Sequence, residues 1–95
     1  MELTKEILIK NGFETDHPEK VLGKYKRHSK SPESMIIIEQ EYKPNTNELT
    51  FNVNCWISEG QNAAITRRTS MSYIKTIEDL NNIIKLCNID FQLAA

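Results

Sequence analysis

The segment LTFNVNCWIS at residues 49–58 alternates apolar and polar side chains without a break. Its apolar positions are Leu49, Phe51, Val53, Cys55 and Ile57. Because successive side chains of a strand point to opposite faces of a sheet, this period of two predicts a strand with one buried face. One large aromatic, Trp56, falls on the opposite face with Asn52 and Asn54.

Two interpretations of Trp56 stay open at this point. In the first, a loop or the last segment of the chain covers this face, and Trp56 fills a small second core. In the second, the face docks a protein partner or a second copy of the chain, because isolated aromatics on a solvated sheet face often mark a contact. The second interpretation predicts five partner-binding residues: Trp56, Asn52, Asn54, Arg67 and Arg68.

The sequence before this segment predicts a hairpin. Residues 43–48, KPNTNE, combine a proline that fixes one backbone dihedral with two asparagines that accept unusual backbone angles. The β-branched run at residues 35–38, followed by Tyr42, predicts a central strand on the other side of that turn. Further upstream, residues 21–26 predict an edge strand, because central strands seldom accept lysines and an interior glycine. Residues 28–33 have the composition of a turn.

The sequence after the segment predicts a further turn and a fourth strand. Residues 59–62, EGQN, are typical of a turn. Residues 63–75 are rich in threonine, isoleucine and tyrosine but do not alternate cleanly. A bulge near Arg67 and Arg68 would reconcile the two halves of this strand.

A helix is predicted at each end of the strand region. Residues 3–13 begin with Thr4, which can cap the first N–H groups of a short helix. Residues 76–88 begin with Thr76 as a similar cap and then place apolar side chains at helical spacing. The closing residues 89–93 alternate again and predict a short final strand or a docked tail.

These elements predict one α+β domain over residues 1–95. Its order is an N-terminal helix, an antiparallel meander of about four strands, a C-terminal helix and a short final strand, with the helices on one face of the sheet. A chain of 95 residues is long enough for one modest hydrophobic core.

The composition argues against several classes of protein. Lysine and arginine number 12 against 13 aspartate and glutamate, whereas a dedicated nucleic-acid binder usually has a strong basic excess. The longest apolar run, MIII at residues 35–38, is far shorter than the roughly 20 residues of a transmembrane helix. The first residues lack the long apolar region of a secretory signal, so we expect a cytosolic protein with no membrane contact.

No pattern of catalytic residues stands out. The three glycines are scattered, which excludes a glycine-rich phosphate loop. His17 and His28 are the only histidines, and no serine has the surroundings of a nucleophile elbow. The neighbours Asp16 and His17 could form half of an acid-base or metal pair, but adjacent loop residues are more often solvated. We therefore expect no enzyme activity, no metal and no cofactor.

The two cysteines, Cys55 and Cys87, both fall on predicted apolar faces. Their spacing contains no Cys-x-x-Cys pair, which makes a zinc site improbable. A cysteine on an apolar face behaves as a small hydrophobe, and we expect both thiols to be shielded from solvent. A disulfide is the less favoured interpretation.

A cluster of basic residues surrounds the start of the predicted turn at residues 28–33. Its members are Lys24, Lys26, Arg27, His28 and Lys30, with Tyr25 inside it. Lysines on an edge strand commonly prevent edge-to-edge aggregation, and we favour that interpretation. The alternative is a nucleic-acid-associated module in which the cations bind phosphates and the ring stacks on a base. Its predicted contact residues are Lys24, Lys26, Arg27, Arg67 and Arg68.

The stretches MSYIKTIEDLNNIIKLCNIDFQL and LTKEILIKNGF resemble short uncharacterised proteins of Bacteroidetes genomes and their prophages or other mobile elements. The matching positions are Tyr73, Leu80, Leu86, Cys87, Asn88 and Ile89. The chain departs from the family pattern with asparagine at position 88 in place of glycine and without a histidine after the aromatic residue. The resemblance implies a phage or mobile-element origin and carries no activity.

Together these observations predict a small non-enzymatic binding or accessory protein that acts through protein–protein contact. The partner would be another protein or a second copy of the chain. The nucleic-acid-associated module remains the alternative.

Overall fold

The computed structural model describes residues 1–30, 33–59 and 65–95. Its elements in chain order are α1 (Lys5–Lys10), β1 (Lys24–Lys30), β2 (Glu33–Tyr42), β3 (Leu49–Glu59), β4 (Ile65–Ile74) and α2 (Ile77–Leu86). The strands form one sheet in the order β1-β2-β3-β4, and each strand is antiparallel to the next. The predicted α+β meander with a helix near each end is confirmed.

One face of the sheet and both helices share a single hydrophobic core. The alternating β3 residues Phe51, Val53, Cys55 and Ile57 are each at most 3% exposed. Leu8 of α1 and the α2 residues Leu80, Ile83 and Ile84 belong to the same buried cluster. We call the sheet face that contributes to this core the inner face and the opposite one the outer face.

The helix ends follow the capping chemistry expected from the sequence. The Thr4 hydroxyl accepts a hydrogen bond from the Ile7 N–H at 3.2 Å, and the Thr76 hydroxyl accepts one from the Asp79 N–H at 3.1 Å. Helix α1 is only 6 residues long, because Asn11 caps it and Gly12 takes the left-handed conformation with φ +86°.

The predicted boundaries of the first strand were wrong at both ends. Strand β1 begins at Lys24 rather than at residue 21, and it continues through residues 28–30, which we had expected to turn. Pairing explains the extension, since His28 lies opposite Met35 and Lys30 lies opposite Glu33. The rest of the predicted turn at residues 31 and 32 lies outside the described residues.

The bulge in β4 lies further along the strand than predicted. Phe51 pairs with Ile74 and Val53 pairs with Met71, so two residues of β4 oppose one of β3 at this point. The extra residue falls at Ser72 and Tyr73 rather than at the two arginines, and Tyr73 has a φ of +63°. The predicted turn at residues 59–62 lies outside the described residues, apart from Glu59 at the end of β3.

Of the two alternatives predicted for the closing residues 89–93, the structure shows the docked tail and not the short final strand. Ile89 and Leu93 are buried in the core, and Phe91 packs against it. The Asn81 side chain of α2 accepts a hydrogen bond from the Leu93 N–H at 2.8 Å and donates one to the Leu93 carbonyl at 3.1 Å. These bonds take the place of a strand partner for the tail. In the part of the chain that the structure describes, neither helix is long and apolar enough to span a bilayer.

Candidate functional site

A single row of side chains crosses all four strands on the outer face. His28 of β1 lies opposite Met35 of β2, which lies opposite Trp56 of β3. Trp56 in turn lies opposite Arg68 of β4. We call these four residues the Trp56 row. Because the strands are about 4.8 Å apart, the row is roughly 14 Å long.

Trp56 is the centre of this row. It is 37% exposed, and the Arg68 guanidinium carbon lies 5.1 Å from the centroid of its ring. This distance suits a cation–π contact. The last segment of the chain is one of the two covers that our first interpretation allows, and it does not lie over Trp56, because Ile89 and Leu93 are buried in the inner-face core instead. A loop is the other cover, and residues 31–32 and 60–64 lie outside the described residues.

A shallow cleft of about 160 Å³ opens beside the Trp56 ring. The residues lining it are His28, Glu33, Ser34, Met35, Trp56 and Ser58. Its volume suits one side chain of a partner rather than a small-molecule ligand, since ligand pockets usually hold about 300 Å³ or more.

Two members of this site, His28 and Met35, were missed as partner-binding residues. The hairpin register could have revealed Met35, because Tyr42 pairs with Leu49 beside the turn and thereby sets Met35 opposite Trp56. His28 was assigned to a turn, so its place beside Met35 had no sequence signal.

Asn52 and Asn54 share the outer face with Trp56, as the alternation predicts. Both residues are half-buried. The Oδ1 atom of each is shielded from solvent and has no hydrogen-bond partner among the described residues. Glu41 Oε1 is in the same condition. A shielded acceptor without a donor costs free energy.

The two neighbouring arginines of β4 lie on opposite faces of the sheet. Arg68 pairs with Trp56 on the outer face, whereas Arg67 pairs in register with Ile57, which is buried in the core. Arg67 Nη2 donates to the Cys87 carbonyl oxygen at 3.5 Å, on the inner-face side of the sheet. The structure therefore does not bring Arg67 to the predicted partner-binding site.

The basic residues of the nucleic-acid alternative are also divided between the faces. Lys24 and Lys26 are exposed on the outer side of β1, with Glu39 directly opposite Lys24. Arg27 points the other way and is half-buried. Its guanidinium carbon lies 3.7 Å from the Phe91 ring centroid, and its Nη1 donates to the Asn11 carbonyl oxygen at 3.0 Å. Arg27 therefore ties the docked tail and the end of α1 to the sheet.

Both cysteines are buried and neither forms a disulfide. Burial, with a smaller effect of the neighbouring Cys87 thiol, raises the pKa of the Cys55 thiol to about 12. A thiol with this pKa is not a nucleophile at neutral pH. The predicted shielding of both side chains is confirmed.

Asp16 and His17 lie on the rim of a second cleft, of about 480 Å³, beside β1. His17 is exposed, and its Nδ1 lies 3.4 Å from the Glu19 carboxylate. Glu14 and Lys20 add charges of both signs to the lining. Among the described residues, no three His, Cys, Asp or Glu side chains are grouped as a metal site requires.

Comparison of the chain with protein-family models, with curated proteins and with solved structures gives no match.

Proposed function

We propose that this protein is a small non-enzymatic binding module and that the outer sheet face is its docking surface for another protein. The observation that carries the proposal is the Trp56 row, in which an exposed tryptophan lies beside an arginine and a methionine near the middle of the outer face. The resemblance of the chain ends to prophage and mobile-element proteins adds such an origin to the proposal.

The composition of the row supports a protein partner. Tryptophan, arginine and methionine are enriched at protein interfaces, and the first two dominate the residues whose truncation weakens binding most. The charged residues Lys24, Lys30, Glu33 and Glu39 lie on the outer face around the row, in opposite-sign pairs across β1 and β2. An apolar or aromatic centre with a charged rim is the usual arrangement of a protein docking surface.

Site-specific photo-crosslinking in cells tests this proposal. With p-benzoylphenylalanine placed at Met35, we expect a covalent product that contains a second polypeptide. The matched control is the same amino acid at Asn82, which is exposed on α2 and remote from the outer face. Equal products from both positions, or none from Met35, would contradict a docking role for the outer face.

One observation favours the nucleic-acid alternative as a second candidate. Lys24, Lys26 and Arg68 share the outer face with Trp56, so cations and a stacking ring lie on one surface. Against it, Glu33 and Glu39 occupy the same face opposite two of the lysines and reduce its positive field. An electrophoretic shift series with single-stranded oligonucleotides decides, because phosphate binding must weaken steeply as salt rises. We expect no shift even at low salt.

A further inference from the structure

We propose that the occupant of the outer face is the same face of a second copy of this chain. The two sheets would pack face to face about a two-fold axis that runs parallel to the strands between β2 and β3. This inference depends on the proposed docking function and names its partner. The register of the four strands and the charges on the outer face support this arrangement.

An axis in this position brings β2 of one copy over β3 of the other. Each row of residues paired across the sheet then lies over the same row of the second copy. The Trp56 row then meets itself in reverse, so Met35 of each copy faces Trp56 of the other. Contact between a thioether sulfur and an aromatic ring is favourable. The outer face of the second copy therefore covers the shallow cleft beside Trp56, which Met35 helps to line.

The neighbouring rows also face themselves in reverse under this axis. Ile37 and Asn54 are opposite each other in the register, so each faces the other type of residue in the second copy. Glu39 likewise faces Asn52 of the second copy, where the amide N–H groups can donate to the carboxylate. Packed sheets cross at about 30°, so these central rows overlap better than the sheet edges.

The charges select this axis over the other two-fold axis that lies in the sheet plane. An axis perpendicular to the strands would bring β1 over β1, with Lys24, Lys26 and Lys30 against the same three lysines. The proposed axis brings β1 over β4, so that Lys26 faces Ser70 and only the His28 imidazole approaches Arg68. Repulsion between the facing lysines would oppose the arrangement with the axis perpendicular to the strands.

A crosslinking experiment tests the geometry. Lys26 and Ser70 lie on opposite edge strands of one chain, roughly 14 Å apart at three strand spacings. In the proposed dimer, Lys26 of one copy lies over Ser70 of the other, across a sheet separation of about 10 Å. The double variant Lys26→Cys/Ser70→Cys should therefore form a two-chain product with a bis-maleimide of about 10 Å reach.

Each single variant is a matched control. Two copies of residue 26 would be roughly 17 Å apart in this dimer, so Lys26→Cys or Ser70→Cys alone should give little product. Cys55 and Cys87 are buried and should not react. Adding Trp56→Ala to the double variant should weaken dimerisation about thirtyfold, as truncation of a central interface tryptophan does. Far-UV circular dichroism checks that each variant is folded.

Sedimentation equilibrium of the unaltered chain completes the test, because it does not depend on any variant. We expect a dimer that dissociates on dilution. A monomer at high micromolar concentration would overturn this inference, and so would a dimer whose single cysteine variants crosslink as well as the double variant. A monomeric chain whose Met35 photo-crosslinks to a different protein would overturn the second copy as occupant but leave the docking function standing. A monomeric chain without any Met35 crosslink would overturn both.

Discussion

The Arg68 guanidinium carbon lies 5.1 Å from the centroid of the Trp56 ring, on the outer face of the sheet. The next residue of β3, Ile57, is 3% exposed and points into the core between the inner face and the helices. The polar and apolar sides of β3 thus separate two roles. Its inner residues stabilise the fold, and its outer residues are available for contact.

Truncation of these two adjacent residues should lower the stability by different amounts. Ile57→Ala should lower the free energy of unfolding by about 2–5 kcal/mol, because it leaves a cavity in a packed core. Trp56→Ala should lower it by about 1 kcal/mol or less, since it removes one partly exposed ring and one cation–π contact. Urea denaturation followed by circular dichroism at low protein concentration measures both. A Trp56→Ala variant as unstable as Ile57→Ala would return Trp56 to a core role.

Two neighbouring cations of β1 should also differ. Arg27 stacks on Phe91 and donates to the Asn11 carbonyl, so Arg27→Ala should cost about 1–3 kcal/mol of stability. Lys26 is exposed, and Lys26→Ala should change stability by about 0.5 kcal/mol or less. Thermal denaturation of the two variants compares them directly. Similar melting temperatures would mean that Arg27 does not tie the tail to the sheet.

The two thiols should resist modification in the folded protein. Both cysteines are buried, so a thiol reagent should label them in urea and leave them unlabelled under native conditions. Cys55→Ser and Cys87→Ser should each cost about 1–3 kcal/mol, because a buried hydroxyl needs a hydrogen-bond partner. Rapid native labelling of either thiol would show that its face of the sheet or helix opens to solvent.

Stability should fall as the pH rises above about 9. Burial raises the pKa of Cys55 from its ordinary value of 9.0 to about 12, so the unfolded chain loses this proton first. The contribution of the protonated Cys55 thiol to stability is complete below pH 9 and is lost between about pH 9 and 12. Over this range the free energy of unfolding should fall by at most about 1.4 kcal/mol per pH unit. Burial, with a smaller effect of Glu6, also raises the pKa of Tyr25. This shift likewise lowers the stability of the folded protein as the pH rises.

Urea denaturation between pH 8 and 10.5 measures this dependence. Cys55→Ala should be less stable overall but should show a shallower decline with pH. Tyr25→Phe keeps the thiol contribution and is the matched control. An unchanged slope in Cys55→Ala would rule out Cys55 as a source of the alkaline loss.

The sequence predicts best where local chemistry and packing agree. The alternation of β3 predicts burial correctly from Phe51 to Ile57, whereas at the start of the strand Leu49 is exposed and Thr50 is buried. Thr4 and Thr76 act as helix caps because their hydroxyls satisfy backbone donors locally. The turn at residues 43–48 is also local, with Asn45 at a φ of +63°. Each of these features depends on contacts between residues close together in the chain.

Prediction failed where pairing with distant residues decides the structure. Residues 28–30 have turn-like composition, but their partners in β2 hold them in a strand. A bulge near Arg67 would have allowed both arginines to share a side. Because the bulge lies instead at Ser72 and Tyr73, strict alternation separates Arg67 from Arg68. The Trp56 row has the same origin, since it exists only through the register of three strand pairs.

The central claim is that Trp56 is covered by the outer face of a second chain. Trp56 is the only tryptophan of the protein, so its fluorescence reports on this face alone. Acrylamide quenching of that fluorescence, measured across a dilution series, tests the claim most directly. We predict that quenching weakens and the emission shifts to shorter wavelength as the concentration rises and dimers form. Quenching that stays strong and constant from nanomolar to high micromolar concentration would contradict the claim.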